Sequence, residues 1–495
     1  MSMTTHIDHA LIEQVIGEFY RYATFSHTWE GDEPLYEKVV KVVVYDLEAS
    51  PTHEKLKMFC KVVQDEGFNW AWSDTCCIDK GDHFILQEAL VSMFKWYEGS
   101  AMTIIFLCDV DRLAELGALT MSKWNLRGWT LQEYQASKVV RIYTKDWTPY
   151  LGLTVYNHKE SPEIISEMEK ATGISAQALM ALRPGLSDIR EKLHLASTRQ
   201  TTRVEDAAYS LLGIFSMTLS VTYGEGDQAL GRLLSQLLTS SGDTCILAWS
   251  GRSGSFNSCL PTNIVVFSRP LTTYIPPAIP DAMMKMITAG LRASSLDLDL
   301  LTRLYVRVDE LPTPTFAGQR MRLPCLAFKI RTISPFQNGS EFVFRAQAGA
   351  LGAVEIKTRK NIMRLESLYL IHPWIDFLLD RRAARSIVEM TTEEDEFPSF
   401  DLFPVCSSTS YADSLGGASL PSPLTVPPMD SQMPVYQFLA RLRQPFGALL
   451  LSPTRQHVAE YKRIATESLI TVQVEEITSA TLDRLIQGVR VLDVL

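Results

Sequence analysis

A chain of 495 residues exceeds what one core serves, and at roughly 100–200 residues per domain it predicts at least two. Hydrophobic residues at 46% and charged residues at 21% are those of a packed globular protein rather than a disordered one. A formal charge of −10 argues against binding along a nucleic-acid backbone, which takes clustered Lys and Arg, and eight cysteines in so long a chain read as reduced thiols rather than a disulfide framework.

Met1–Glu18 carries no basic segment followed by an apolar run, and nowhere do ~18 uninterrupted apolar residues occur, so no membrane span and a cytoplasmic location are expected. Residues 1–150 then alternate short apolar runs with helical patterns, which is how a parallel sheet covered by helices reads. The strands are Tyr22–Ser26, Phe68–Ser73, Met102–Cys108 and Lys138–Thr144, with Lys41–Leu47 as a fifth candidate. Between them Lys55–Glu66 and Phe84–Tyr97 have helical length, and Trp129–Tyr134 opens a shorter helix. In the second helix Glu88, Ser92 and Lys95 form one polar stripe, where Glu88 either faces the site or pairs with Lys95, the pairing being the expected outcome.

Residues 151–250 read as a helical extension, with helices over Ser161–Thr172, Ser175–Leu182, Arg203–Phe215 and Gly226–Leu238. From 251 to 495 the texture turns to β-prone stretches, Leu323–Ile330, Glu341–Arg345 and Ser367–Ile371, separated by Pro and Gly turns. A β-rich C-terminal domain is expected there. Its segment Cys406–Met433 is crowded with Ser, Pro and Gly and reads as a flexible loop.

In open parallel sheets, ligands bind beyond the carboxyl ends of the strands. The first strand is followed by Ser26, His27, Thr28, Trp29, Glu30 and Asp32, the second by Asp74, Thr75, Cys76, Cys77 and Asp79, and the third by Asp109 and Asp111. Parallel strands put all three groups on one sheet edge; the competing reading is that they cap helices and fill turns. In the segment Trp124–Glu133, a helix starting at Trp129 places Trp129, Gln132 and Glu133 on one face, an indole beside a carboxylate. The competing reading there is a Trp packed on the sheet with Glu133 in solvent.

Several chemistries find no support. Cys76-Cys77 with His83 lacks the paired spacing of a zinc site, so no metal is assigned. A Cys76 nucleophile served by His27 is the lesser reading against plain buried thiols. Gly226–Leu233 has the outer spacing of a phosphate loop without its Lys and Ser/Thr.

The motifs Tyr22-Ala-Thr-Phe-Ser-His-Thr-Trp29, Trp72-Ser-Asp-Thr-Cys-Cys-Ile-Asp-Lys80, Glu88–Tyr97 and Arg127-Gly-Trp-Thr-Leu-Gln-Glu133, in this order, resemble the fungal heterokaryon-incompatibility (HET) domain. Arg199–Phe215 and Tyr223-Gly-Glu-Gly226 look like the helical continuation of many family members. Two connections depart: Tyr134-Gln-Ala-Ser-Lys stands where the family has an apolar pair and a Pro, and Gly81-Asp-His-Phe where it has a Ser/Asn-rich loop.

The resemblance implies a role in self/non-self recognition that triggers growth arrest or cell death when unlike fungal cells fuse. It also implies a flavodoxin-like sheet shared with TIR domains, in whose catalytic members a helix-start glutamate serves cleavage of NAD. Trp129-Thr-Leu-Gln-Glu133 has that spacing, which makes Glu133 the catalytic candidate. Ser26, His27, Trp29, Asp74, Arg127 and Trp129 are the substrate-binding candidates, with an indole stacking on a base and Ser26 or Asp74 bonding ribose. NAD would be substrate, no cofactor is called for, and protein partners or self-association are expected. The alternative is a non-enzymatic interaction module on the same fold.

Overall fold

The computed structural model describes residues 17–269, 279–293, 296–336, 342–363, 365, 367–380, 433–454 and 460–495. Its first sheet has four strands, β1 (Tyr22–His27), β2 (Trp70–Ser73), β3 (Met102–Leu107) and β4 (Val140–Thr144), all parallel in the order β2-β1-β3-β4. The chain passes from β1 to β2 on one side and then crosses back to β3 on the other, so the strand order reverses at β1 and a crevice opens at the strands' carboxyl ends.

One face of β1 carries Ala23 and Phe25, which pack on helix α1 (Pro51–Asp65) through Leu56, Phe59, Val62 and Val63. That spacing is one helical stripe, and Ser50 caps the helix by accepting the His53 N–H, with Pro51 at its first position. Each of those four side chains contributes about 1.5–3 kcal/mol by leaving water.

The other face of β1 is polar. Thr24 and Ser26 meet the helices α2 (His83–Glu98) and α3 (Trp129–Ala136), and Thr24, Thr103 and Ser137 join in a chain of hydroxyls ending on the Glu133 carbonyl. A buried hydroxyl without a partner costs about 1–3 kcal/mol, so this ladder fixes the register of α3 on the sheet.

The extension contributes α4 (Pro162–Thr172), α5 (Ile189–Ser197) and α6 (Gln228–Ser241). Gly213 and Gly231 are small because neighbours crowd them: a Cβ would lie 2.1 Å from that of Phe94 on α2 and 2.3 Å from that of Phe256 respectively. One apolar core therefore runs from Phe94 and Tyr97 through Leu212, Leu233 and Trp249 to Met321 and Trp374 of the C-terminal part.

That part holds helices α7 (Asp281–Arg292), α8 (Leu298–Asp309), α9 (Met433–Leu442) and α10 (Ser479–Gly488). Its strands are β5 (Thr315–Ala317), β6 (Arg320–Pro335), β7 (Phe342–Ala348), β8 (Ala353–Thr358), β9 (Tyr369–His372), β10 (Phe446–Pro453), β11 (Glu460–Arg463), β12 (Ile470–Val472) and β13 (Val489–Val494). The sheet is mixed, with β11 parallel to β13 and the other pairings antiparallel. Pairings β6–β9, β9–β10, β10–β11, β11–β13 and β13–β6 close a ring of five strands.

Four expectations need correction. Lys41–Leu47 is no strand but a turn followed by a short 3-10 helix at Val44–Asp46, and its apolar residues Val44 and Leu47 pack into the cluster around α1 instead of joining the sheet. The helix expected over Arg203–Phe215 is regular only at Asp206–Tyr209, with the Glu205 side chain before it accepting the Gly224 and Gly226 N–H groups. The β-rich domain also carries helices that the sequence expectation omitted, α7 to α10 and a short one at Ile375–Leu379 among the described residues; their apolar side chains cover strand residues such as Leu326 and Phe328. Glu88 and Lys95 do not form an ion pair among the described residues, standing two helical turns apart on α2. The segment Cys406–Met433 lies, apart from Met433, outside the described residues.

No helix among the described residues is long and apolar enough to cross a membrane.

Candidate functional site

Beyond the carboxyl ends of β1 and β2 lies a cleft of about 450 Å³ lined by Trp29, Asp74, Ile78, Lys80, Arg127, Trp129, Glu133, Arg203, Asp206 and Tyr223, among others. That volume is within the usual range for small-molecule sites. Five separate stretches of sequence build it, around Trp29, Asp74–Met93, Arg127–Glu133, Gln200–Asp206 and Tyr223.

Glu133 is its most constrained residue. The carboxyl is 4% exposed, and one oxygen accepts a 2.5 Å hydrogen bond from the Ser26 hydroxyl. Ser26 in turn accepts the Trp124 indole N–H at 2.8 Å, so its donor and an acceptor site are both committed. Burial, with Asp74 nearby, pushes the Glu133 carboxyl up to about 8, against the opposing pull of Ser26, Arg127 and Arg199. Glu133 is therefore mostly protonated at neutral pH.

Arg199 sits behind it, 7% exposed, donating to the Arg127 carbonyl, the Thr130 hydroxyl and the Asn125 side chain, each at 3.0 Å. These bonds lock the start of α3. A parallel bridge between Arg127 and Gln200 completes the seam, and Gly128 is required there because a Cβ would come 2.5 Å from Thr201 Cγ2.

Asp74 occupies the opposite wall. Its Oδ2 accepts the Trp29 indole N–H at 3.1 Å, and its Oδ1 lies 3.4 Å from His27 Nε2, an electrostatic contact short of hydrogen-bond geometry. Burial would raise this carboxyl, but His27, Lys80 and Arg127 outweigh it and hold Asp74 below its usual range. The Trp29 ring carries Lys80 Nζ at 3.8 Å and Arg127 Cζ at 5.3 Å from its centroid.

At the far end, Asp206 accepts from Tyr223 Oη at 3.0 Å, and the Arg203 guanidinium lies 4.0 Å from the Tyr223 ring centroid. Burial raises the Asp206 carboxyl, opposed by hydrogen bonds from Trp129 and Tyr223.

Residues 22–115 match the family model described as heterokaryon incompatibility protein (HET). The chain is also 34% identical over 228 residues to vegetative incompatibility protein HET-E-1 of Podospora anserina. Over residues 22–115 the chain is thus similar to a HET domain. The aligned part is 44% of this chain but 16% of the relative, and no solved structure matches.

The HET match ends before α3, so Arg127, Trp129 and Glu133 lie outside it yet share the cleft with Trp29 and Asp74. Of the candidates read from sequence, those five line it. Ser26 and His27 do not: Ser26 is fully buried and reaches the cleft only through Glu133, and His27, 3% exposed, is stacked on Phe25. Gln132 is buried and does not line the cleft.

Turn and cap roles account for the rest. Asp109 accepts from Ser122 and the Lys123 N–H, and Asp79 from the Gly81 and Asp82 N–H groups. Asp111 pairs with Lys145, Asp32 with Lys38, and Glu30 with the buried Lys55, while Thr75 bonds Ser73 and Thr28 bonds Cys108. The Cys76 thiol is raised by its hydrogen bond to Cys77 and by burial, and the thiols Cys77 and Cys60 and the Asp74 carboxylate raise it further. Lys80, Arg203, Asp206 and Tyr223 were missed. The signal was present in the polar runs Asp79-Lys80 and Gln200-Thr-Thr-Arg203, which interrupt otherwise amphipathic stretches.

Proposed function

We propose that this chain acts in heterokaryon incompatibility and that its HET domain does so by hydrolysing the nicotinamide–ribose bond of NAD at Glu133. What carries the reading is a single juxtaposition: a buried carboxyl, oriented by Ser26, lining a cleft with the Trp29 and Trp129 indoles and the Lys80 and Arg127 cations.

In this reading an indole stacks on the nicotinamide ring. The fixed positive charge of that ring favours the ionised form of Glu133, lowering its pKa in the complex. As the C–N bond breaks, its electron pair leaves with nicotinamide and neutralises the ring. The carboxylate stabilises the oxocarbenium character left on ribose, then takes a proton from the water whose oxygen bonds to C1′, giving ADP-ribose. Water exclusion by the cleft walls strengthens each of these charge interactions.

The test uses full-length protein with NAD, following free nicotinamide by chromatography. Wild type should turn over, and Glu133→Gln should lose a factor of about 10²–10⁴. Turnover persisting in Glu133→Ala removes Glu133 from catalysis. Wild type that leaves NAD intact while its expression still arrests growth assigns the domain to a non-enzymatic interaction module.

A further inference from the structure

We infer that Lys80 and Arg127 of the amino-terminal part and Arg203 of the extension together form a diphosphate site, so the cleft takes a nucleotide bearing a diphosphate and not a nucleoside. This rests on the cleft being the ligand site proposed above and specifies its ligand class.

The three cations line one cleft, each beside an aromatic ring; Lys80 and Arg127 also act at a distance on Asp74, and Arg203 on Glu205 and Asp206. Lys80 and Arg127 share the Trp29 indole, at 3.8 and 5.3 Å from its centroid, so their charges lie within roughly 9 Å of one another. Arg203 lies 4.0 Å from the Tyr223 ring, and Tyr223 is anchored by its hydroxyl on Asp206. None of the three makes an ion pair with a carboxylate among the described residues, and Lys80 makes one long hydrogen bond, 3.4 Å, to the Thr75 carbonyl.

Arg199 and Arg232 show the contrast. Their guanidinium donors are spent on carbonyls, a hydroxyl, an amide and Glu225, as expected of structural arginines. Arg127 and Arg203 keep a rigid fork of donors that matches phosphate oxygens.

Charge balance points the same way. The chain carries −10 overall, yet the cleft sets three cations against Asp74 and Asp206, with Glu133 mostly protonated at neutral pH. A locally positive cleft in an acidic protein concentrates anions. Cations spread along a cleft of about 450 Å³ suit more than one anionic group, and the Thr201 and Thr202 side chains add donors to the same wall. A neutral nucleoside would leave these groups unused.

Calorimetry of the full-length protein with adenosine 5′-diphosphate and with adenosine tests this. The diphosphate should bind at least about tenfold more tightly, and exposed Arg203, changed to Gln, should weaken it about tenfold while leaving adenosine affinity and the melting temperature unchanged. Equal binding of the two ligands, no binding of the diphosphate, or an Arg203→Gln protein with wild-type affinity each overturns the diphosphate site. The NAD assay separates this from the function: diphosphate binding that depends on Arg203 without NAD cleavage removes the hydrolase and leaves the site standing. Cleavage of NAD and of nicotinamide riboside with equal kcat/KM removes the site and leaves the hydrolase.

Discussion

Glu133→Gln removes an ionisation while keeping the side chain's shape and an acceptor for Ser26. In the folded protein this carboxyl is raised from 4.5 to about 8, chiefly by burial. At 1.36 kcal/mol per pK unit, ionising it in place costs about 5 kcal/mol. The sign follows from proton counting. Between pH 4.5 and about 8 the unfolded chain has lost this proton and the folded chain keeps it, so this group's contribution to stability falls as pH rises and levels off above 8. The glutamine protein lacks that slope. Its melting temperature should therefore gain on wild type by about 1 °C per pH unit across pH 5–8, since about 1.4 kcal/mol per pH unit is set against the unfolding entropy of a 495-residue chain; differential scanning fluorimetry of both proteins in the same buffers reads it. A difference that stays flat over that range would refute the burial argument for Glu133, whatever the protein does to NAD.

The same logic extends to kinetics and to neighbours. If Glu133 must be ionised to act, kcat/KM for NAD should rise with pH through about 8, and Asp74→Asn, which removes a raising charge, should shift that limb downward by roughly one pH unit. Ser26→Ala takes the acceptor from the Trp124 indole and the donor from Glu133, so it should cost about 1–3 kcal/mol by urea denaturation and move the limb upward. Gly128→Ala forces a methyl against Thr201 and should destabilise by about 1–3 kcal/mol, with loss of nucleotide binding by calorimetry. Truncation after residue 250 strips Cys245–Trp249, at most 1% exposed, of partners in the C-terminal sheet; such a fragment should bind a hydrophobic dye and digest rapidly, and a soluble, protease-resistant fragment would refute the shared core.

The four strands of the first sheet were legible because each is a short apolar run bounded by turn residues, and a parallel sheet buries both faces. Local spacing also put Trp129 and Glu133 on one helical face, one turn apart on α3. Spacing could not separate Ser26 from Trp29. Both follow the same strand, yet alternation along β1 buries Ser26 under α3, and the chain's exit past His27 carries Trp29 out to the cleft. Nor could it bring Arg203 or Asp206 to the site, since they reach it only through the Arg127–Gln200 bridge, 73 residues apart in sequence. The β-prone residues of Lys41–Leu47 go instead to the cluster around α1, where Leu47 is buried, a tertiary destination that local propensity does not show.

That long-range seam also sets what holds the cleft open. Arg203, Asp206 and Tyr223 form a wall whose far side is the start of α6, where Glu205 binds the Gly224 and Gly226 N–H groups. The 3-10 turn Thr244–Leu247, which follows α6, is fastened to the C-terminal strand ring: Trp374 donates its indole N–H to the Thr244 carbonyl at 2.9 Å, and Arg463 donates to the Leu247 and Trp249 carbonyls while stacked 3.7 Å from the Trp249 ring. A buried guanidinium without its acceptors is costly, so these bonds act as a clamp rather than a loose contact. The wall that supplies Arg203 is thus positioned from both sides, by Arg199 reaching back to α3 and by Arg463 reaching forward from β11. Displacing the ring from α6 would act on the cleft through Asp206 and Tyr223, and leave the β1–Glu133 hydrogen bonds in place.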